Sequence, residues 1–352
     1  MKNKLTRRTF LCSAATAAAA ASLAPLVSSC GEAPACPTIP GIDEFGSKFG
    51  GVQIGAITYS WRNMPGGLEN IISYCKATGI NSVELMSGDL ESYLGAPENP
   101  LVRFFSQPPP PPPAGTPPSA QARAAARFQL PPEVLAEMEE YNAAVKEWRL
   151  NVTPEEVARA KKLMDDAGVS AHIVKFSPAR WSDEEIDYAF RTAKAMGAKA
   201  VCDEIGGESA AKMAPFAEKH DMFAILHNHA QYGQEGFSAD PFLEVSPAVM
   251  LNFDCGHYYG STGLNPCDFI KKYHDRIYSI HLKDKTGPAT DPRDANQVWG
   301  QGEVPLAEVM LLVKKEGWPI YLDIELEYDI KPWSNQVKET KTCVQYARNI
   351  LL

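Results

Sequence analysis

From Val52 onward the chain alternates, eight times over, a short apolar stretch of strand character with a longer amphipathic stretch of helical period. The strand-like stretches are "VQIGAITYSW", "NSVELM", "VSAHIVKF", "AKAVCDEI", "MFAILHNH", "AVMLNFDCGH", "IYSIHLKD" and "IYLDIELE". A helix between two strands carries the chain back to the end it started from, so the strands must run parallel. Eight such units in roughly 300 residues match the count and size of a closed (β/α)8 barrel, an α/β fold. A doubly wound open sheet is the alternative, but "ITYSWRNMPGG" after the first strand does not fit the glycine-rich phosphate turn of that fold. Apolar residues make up 45% of the chain, enough for a large core.

The helices are punctuated clearly. Thr153 reads as an N-cap with Glu156 placed for a capping box, Pro154 as the first helical residue and Gly168 as the stop. "DPFLEVSP" is the weakest helix of the set. An insertion of about residues 88–150 follows the second strand. It holds the polyproline tract "QPPPPPPAGTPPS", an Ala/Arg-rich stretch and a charged helical segment. It reads as a surface excursion, with a lid over the strand ends as the alternative.

The first fifty residues are set apart from the barrel, expected over 51–352. Arg7 and Arg8 precede a short Ala-rich apolar run broken by Pro25, a twin-arginine signal too short to span a bilayer. The run ends in "LVSSCGE", the form of a lipoprotein cleavage site with Cys30 as the lipidated residue. The expectation is a signal over 1–30, a linker over 31–50, and a periplasmic or membrane-anchored protein whose one membrane contact is that lipid. The remaining cysteines form no CxxC pair, so neither a disulfide framework nor a cysteine zinc site is readable. A net charge of −9 disfavours nucleic acid as a partner. A homo-oligomer is compatible with everything so far.

In such a barrel the active site lies at the C-terminal ends of the strands. Those ends collect Glu84, His172 and Lys175, Asp203 and Glu204, His227 and His229, Asp254 and His257, His281 with Lys283 and Asp284, and Glu325 with Glu327. Four of the seven histidines fall on three consecutive strands, the fifth to the seventh, and His172 makes a fifth at a strand end. Imidazole and carboxylate donors without thiolates suit one divalent Mn²⁺, Zn²⁺, Co²⁺ or Fe²⁺ ion.

The set "NSVELM", "LHNH", "FDCGH", "HLKD", "WGQGEVPL" and "IYLDIELE" resembles the xylose isomerase-like TIM barrels. Within them it is similar to the sugar phosphate isomerase/epimerase branch, which includes inosose dehydratases and tagatose-type epimerases. The resemblance covers Val52 to the end, apart from the insertion. It implies Asp254, His281 and Glu325 as metal ligands, with His257 beside the metal on the substrate. In the epimerases the fifth strand supplies a glutamate that is both ligand and base. Here His227 holds that place, which makes it the fourth ligand and removes one of the two bases that epimerisation needs.

A one-base reaction survives that change. A sugar carbonyl is polarised, a base removes the neighbouring proton, and the enediolate goes on to isomerisation or β-elimination. Glu325, His257, His229 and Lys283 are the catalytic candidates. Glu84, Glu204, Trp61, Tyr258, Trp299 and Arg293 are the substrate-binding ones, the aromatics because sugar faces stack on rings. The expected substrate is a small unphosphorylated keto-sugar or keto-glycoside, the expected enzyme a metal-dependent lyase or isomerase. The alternatives are an isomerase or epimerase of free sugars, a non-catalytic carbohydrate-binding lipoprotein, and a metal-dependent endonuclease of the related apurinic-site type.

Overall fold

The computed structural model describes residues 45–106 and 130–352. The signal and lipid-anchor reading, and the polyproline tract, fall outside the described residues. Eight parallel strands close into a barrel: β1 Val52–Ile57, β2 Ser82–Met86, β3 Ser170–Lys175, β4 Ala200–Glu204, β5 Phe223–His227, β6 Val249–Asp254, β7 Ile277–Leu282 and β8 Tyr321–Ile324. Each pairs with the next, and β1 pairs with both β2 and β8, so no barrel edge is left open. The sheet also reaches back before residue 51, because Lys48–Phe49 pairs antiparallel with β1.

Between strands and helices lies a continuous apolar layer, while a smaller cluster of Ile173, Ala200, Cys202 and Ile225 fills one side of the barrel interior. The other side is polar, and that asymmetry positions the site. The capping box of Thr153 and Glu156 forms as the sequence implies, over a helix Pro154–Asp166. "DPFLEVSP" yields only the short helix Asp240–Leu243. The five described cysteines are free and buried. Among the described residues no helix is long and apolar enough to cross a membrane.

The described arms of the insertion belong to the fold rather than lying loosely on it. Helix Pro132–Asn151 brings Arg149 into a buried ion-pair cluster, 2.8 Å from Glu91 and 3.1 Å from Glu185. Its guanidinium stacks 3.5 Å from the Trp181 ring, and the Tyr188 hydroxyl donates to Glu91. Deleting the whole insertion would remove Arg149 and Glu91 together and strand the buried Glu185 carboxylate. A deletion confined to the proline tract leaves these contacts intact.

Candidate metal centre

Local structure turns the side chains of the C-terminal ends inward. The strand β6 stops at Asp254 because Asp254 caps the next helix, Cys255–Thr262, with one oxygen accepting from the His257 N–H at 2.7 Å. The second oxygen, Oδ2, is thereby left facing the barrel interior. Gly256 allows this tight exit, since a Cβ there would lie 2.4 Å from the Lys283 carbonyl oxygen. At β8 the chain is clamped by Ser60, whose hydroxyl donates to the Ile324 carbonyl and accepts from the Leu326 N–H. Glu325 then points in, Leu326 out and Glu327 in again.

One donor atom from each of His227, Asp254, His281 and Glu325 lies within 4.8 Å of every other, and all four residues are buried. The His281 ring is held on both sides, Nδ1 at 2.9 Å from Glu325 and Nε2 at 2.7 Å from Glu84. Glu84 also accepts from Asn252 at 2.8 Å. A carboxylate behind a histidine fixes the ring and its tautomer, the arrangement that accompanies metal-ligating histidines. His227 shows the same pattern: Nδ1 meets Glu204 at 3.2 Å, and Nε2 faces Asp254 Oδ2 at 3.7 Å. Both atoms of that facing pair are buried, and His227 Nε2 has no hydrogen-bond partner. A divalent cation would satisfy both at once, so the donor set fits such an ion.

Lys283 is the competing cation. Its Nζ lies 3.0 Å from both Asp254 and Glu325, and 2.6 Å from Glu327. Burial lowers the His281 pKa, but the Glu84 and Glu325 carboxylates outweigh it and raise it well above its ordinary value. Burial likewise pushes Glu84 up, and the charge and hydrogen bond of His281 overcome it, holding the carboxyl at about 2. The five carboxylates Glu84, Glu204, Asp254, Glu325 and Glu327 thus face two ammoniums, Lys175 and Lys283, and one imidazolium. Two negative charges stay uncovered, and a buried uncompensated charge is costly.

His257 is neutral. Burial, and then Lys283 and Lys285 beside it, pull its pKa down to about 4 against the pull of Asp254. Lys283 meets its Nε2 at 2.9 Å and Lys285 its Nδ1 at 3.1 Å. His229 stands half exposed at the mouth, 3.2 Å from Glu204. Its pKa is lowered by burial and by His227. Glu204, His227 and His229 also group closely, but His227 can give a neutral ring's single lone pair to only one ion. That second group therefore serves as the outer wall of the first. Lys285 and Asn252 were missed by sequence reasoning: Lys285 lies past the strand end, and an asparagine in mid-strand carries no ligand signal.

Several expected site residues lie elsewhere. Trp61 is buried in the core, donating to Thr340 at 3.1 Å and packed on Tyr74. Trp299 is buried against Tyr346, and Tyr258 packs among Tyr232, Phe253 and Phe269. None of the three rings is free to stack on a sugar. Glu84 is fully buried behind His281, which leaves it no surface for substrate. Arg293 is exposed on the loop after β7. Asp203 points outward to the Ala179 N–H, and Asp284 accepts from the backbone of Gly300, Gly302 and Val304, organising that loop. His172 bonds Ser82 and Asp323 toward the opposite end of the barrel.

A family profile described as xylose isomerase-like TIM barrel matches residues 135–347. The chain belongs to that family. It is 31% identical to an inosose dehydratase of Klebsiella pneumoniae over 145 residues, 36% of this chain and 48% of that one. It is 28% identical to an inosose dehydratase of Clostridium botulinum over 135 residues, 34% and 45% of the two chains. The chain spans about half the length of the curated relatives it matches. A solved sugar phosphate isomerase/epimerase from Parabacteroides distasonis superposes with a TM-score of 0.52 at 16% identity, covering 89% of this chain and 100% of that one. At that identity the likeness is one of fold.

Proposed function

We propose that His227, Asp254, His281 and Glu325 hold one divalent metal ion, and that the protein acts on a keto-sugar or keto-glycoside by removing the proton next to its carbonyl. The observation that carries the metal is His227 Nε2, buried without a hydrogen-bond partner, facing Asp254 Oδ2 at 3.7 Å, an oxygen whose close partner is the Lys283 ammonium at 3.0 Å. The sugar chemistry is supported by membership of the family and by the inosose dehydratase relatives. A bound divalent ion supplies Lewis acidity toward a carbonyl oxygen.

The chain's own residues do the rest. His257, its pKa pulled down to about 4, can take a proton from the substrate carbon at Nε2 once substrate displaces Lys283 from that nitrogen. Lys283, aimed at Nε2 of that ring, offers positive charge where negative charge develops on the substrate. Glu204 orients the His229 ring at the mouth, where it can pass a proton to a leaving oxygen. With His227 at the end of β5, the second carboxylate of a two-base reaction has no counterpart at that position, and the nearby Glu204 is engaged by His227, His229 and Lys175. Elimination from a 3-keto-glycoside is therefore the favoured outcome over epimerisation of a free ketohexose, by at least about tenfold, or roughly 1.4 kcal/mol of barrier. The same proposal has the chain exported by its twin-arginine segment and anchored through Cys30, so Cys30→Ser should move it from the membrane to the soluble fraction.

A second reading has one observation in its favour. Lys283 already reaches two of the carboxylates, as a metal-free carbohydrate-binding module would need. Elemental analysis of the purified protein separates the two readings, together with proton exchange at the α-carbon of a 3-keto-glycoside in deuterated water. One equivalent of metal and exchange, both lost in Asp254→Asn, are expected. Metal-free protein, or exchange that survives Asp254→Asn, would refute the metal-dependent reading. Efficient epimerisation of a free ketohexose would refute the elimination reading.

A further inference from the structure

Beside the metal centre lies a second, strongly polar pocket. It opens between the loops that follow β1 and β8 and is lined by Arg62, Asn63, Glu327, Asp329 and Gln336 among others. Glu327 joins the two sites: it is among the residues lining this pocket, and its carboxylate lies 2.6 Å from Lys283. Arg62 is held firmly: Nη1 donates to the Leu326 carbonyl at 2.6 Å and to the Tyr59 carbonyl at 3.2 Å, and the guanidinium lies over the Tyr59 ring. It pairs with no carboxylate among the described residues, so its outer N–H groups remain available.

The loop from Ile330 to Gln336, whose two end residues both line the pocket, carries Trp333 at 79% exposure. This loop has an ordered frame. Ser334 N–H donates to Lys331 at 2.9 Å, and Ser334 and Tyr328 both donate to Glu339. Asn335 then caps the C-terminal helix Gln336–Leu351. Leaving so large an apolar ring in water on a braced loop forgoes a sizeable burial gain.

We propose that this pocket, with Trp333 on the loop that bounds it, is a subsite for a second sugar ring, joined to the ring that reacts at the metal centre. The proposal rests on the reading of that centre as a sugar site. The lining chooses the ligand. The lining carries both signs, Arg62 and Asp329, so it offers no excess of positive charge to an anion. Asn63 and Gln336 each donate and accept, as a hydroxyl does. A sugar ring presents hydroxyls at its edge and C–H groups on its face, matching the polar wall and the tryptophan respectively. A protein partner is a poor match, because one exposed tryptophan falls far short of the roughly 800 Å² per side that a stable interface buries.

Isothermal titration of glucose, maltose and cellobiose into the full chain tests this, with wild type, Trp333→Ala and Arg62→Met compared and metal content measured on each sample. Binding of these unreactive sugars does not depend on catalysis, so failure here is separable from failure of the proposed reaction. At least one disaccharide should bind tenfold or more tighter than glucose, about 1.4 kcal/mol. That advantage should fall below threefold in both variants while metal content stays at the wild-type level. Equal affinity for one and two rings would overturn the proposal, as would no binding of any of them, or an advantage that survives in both variants. A Trp333-dependent dimer in sedimentation, without sugar binding, would reassign the loop as an interface.

Discussion

Glu84→Gln probes the metal centre through a residue that never needs to touch the ion. Glu84 accepts from His281 Nε2 at 2.7 Å and from Asn252 at 2.8 Å, and its other oxygen has no partner. A glutamine can keep its amide oxygen on those two donors and place its NH₂ where the unpartnered oxygen lay. The shape survives and the charge goes. A charge-assisted hydrogen bond is about twice as strong as a neutral one, so His281 becomes a weaker electron donor without losing its orientation. Loss of such an outer carboxylate typically costs about 10–100-fold in metal affinity, or roughly 1.4–2.7 kcal/mol.

The pH dependence sharpens the test. His281 has its pKa raised well above the ordinary value, Glu84 being the leading cause against burial. Below that pKa a proton occupies the nitrogen an ion needs, so metal affinity falls as pH falls. Removing the Glu84 charge lowers the His281 pKa and moves that acidic limb to lower pH. Competition titrations of Zn²⁺ and Mn²⁺ against a chromogenic chelator, run from pH 8 to pH 5.5, should show the variant about 10–100-fold weaker at pH 8. The gap should narrow as pH falls. Equal affinity at pH 8, or a ratio that stays constant with pH, would refute the assignment of His281 as a ligand held by Glu84.

Arg149→Met removes the cation that covers Glu91 and Glu185, both within its reach in a buried cluster. The cost should be about 3–5 kcal/mol in chemical denaturation, with part recovered in Arg149→Met/Glu91→Gln. His172→Leu should cost about 1–3 kcal/mol by leaving the Asp323 carboxylate short of a partner. Its kcat/KM should stay within twofold of wild type, and a large loss of turnover would return His172 to the site. Trp61→Phe should cost about 1–2 kcal/mol through its lost bond to Thr340, with KM for a sugar substrate unchanged.

The barrel was legible because its signal is spread over the whole chain. Eight parallel strands follow from eight alternations, and local punctuation such as the Thr153–Glu156 box placed a helix start to the residue. The four proposed ligands were legible for a different reason: they recur at the same point of consecutive units, and the structure brings them together. The aromatics were misplaced because a ring near a strand end packs wherever an apolar wall is closest. For Trp61 that wall includes Tyr74, with Thr340 to take its N–H.

What a list of strand ends discards is phase. Side chains alternate across a strand, so residues two apart share a face. Taking Glu84 or His281 as inward fixes the partners: Lys283 with His281, Glu327 with Glu325, His229 with His227. By the same rule Asp284 and Asp203 fall on the outer face, and the structure puts both there, on backbone N–H groups. Applied to the sequence, this parity would have removed both residues and raised Glu327, which joins the metal centre to the neighbouring pocket. His172 escapes the rule for a physical reason. The pairing of β2 with β3 runs Val83 to Ala171 and then Glu84 to Ile173, so His172 is the extra residue of a β-bulge. The bulge sends its ring to Asp323, while Lys175, three residues on, reaches Glu204. Parity can be read from a sequence only up to the first bulge. In this barrel one bulge falls in β3 at His172 and another in β7, where the pairing steps from Leu251–Ile277 to Asn252–Ser279. The second lies before His281 and so leaves His281 and Lys283 in phase with each other.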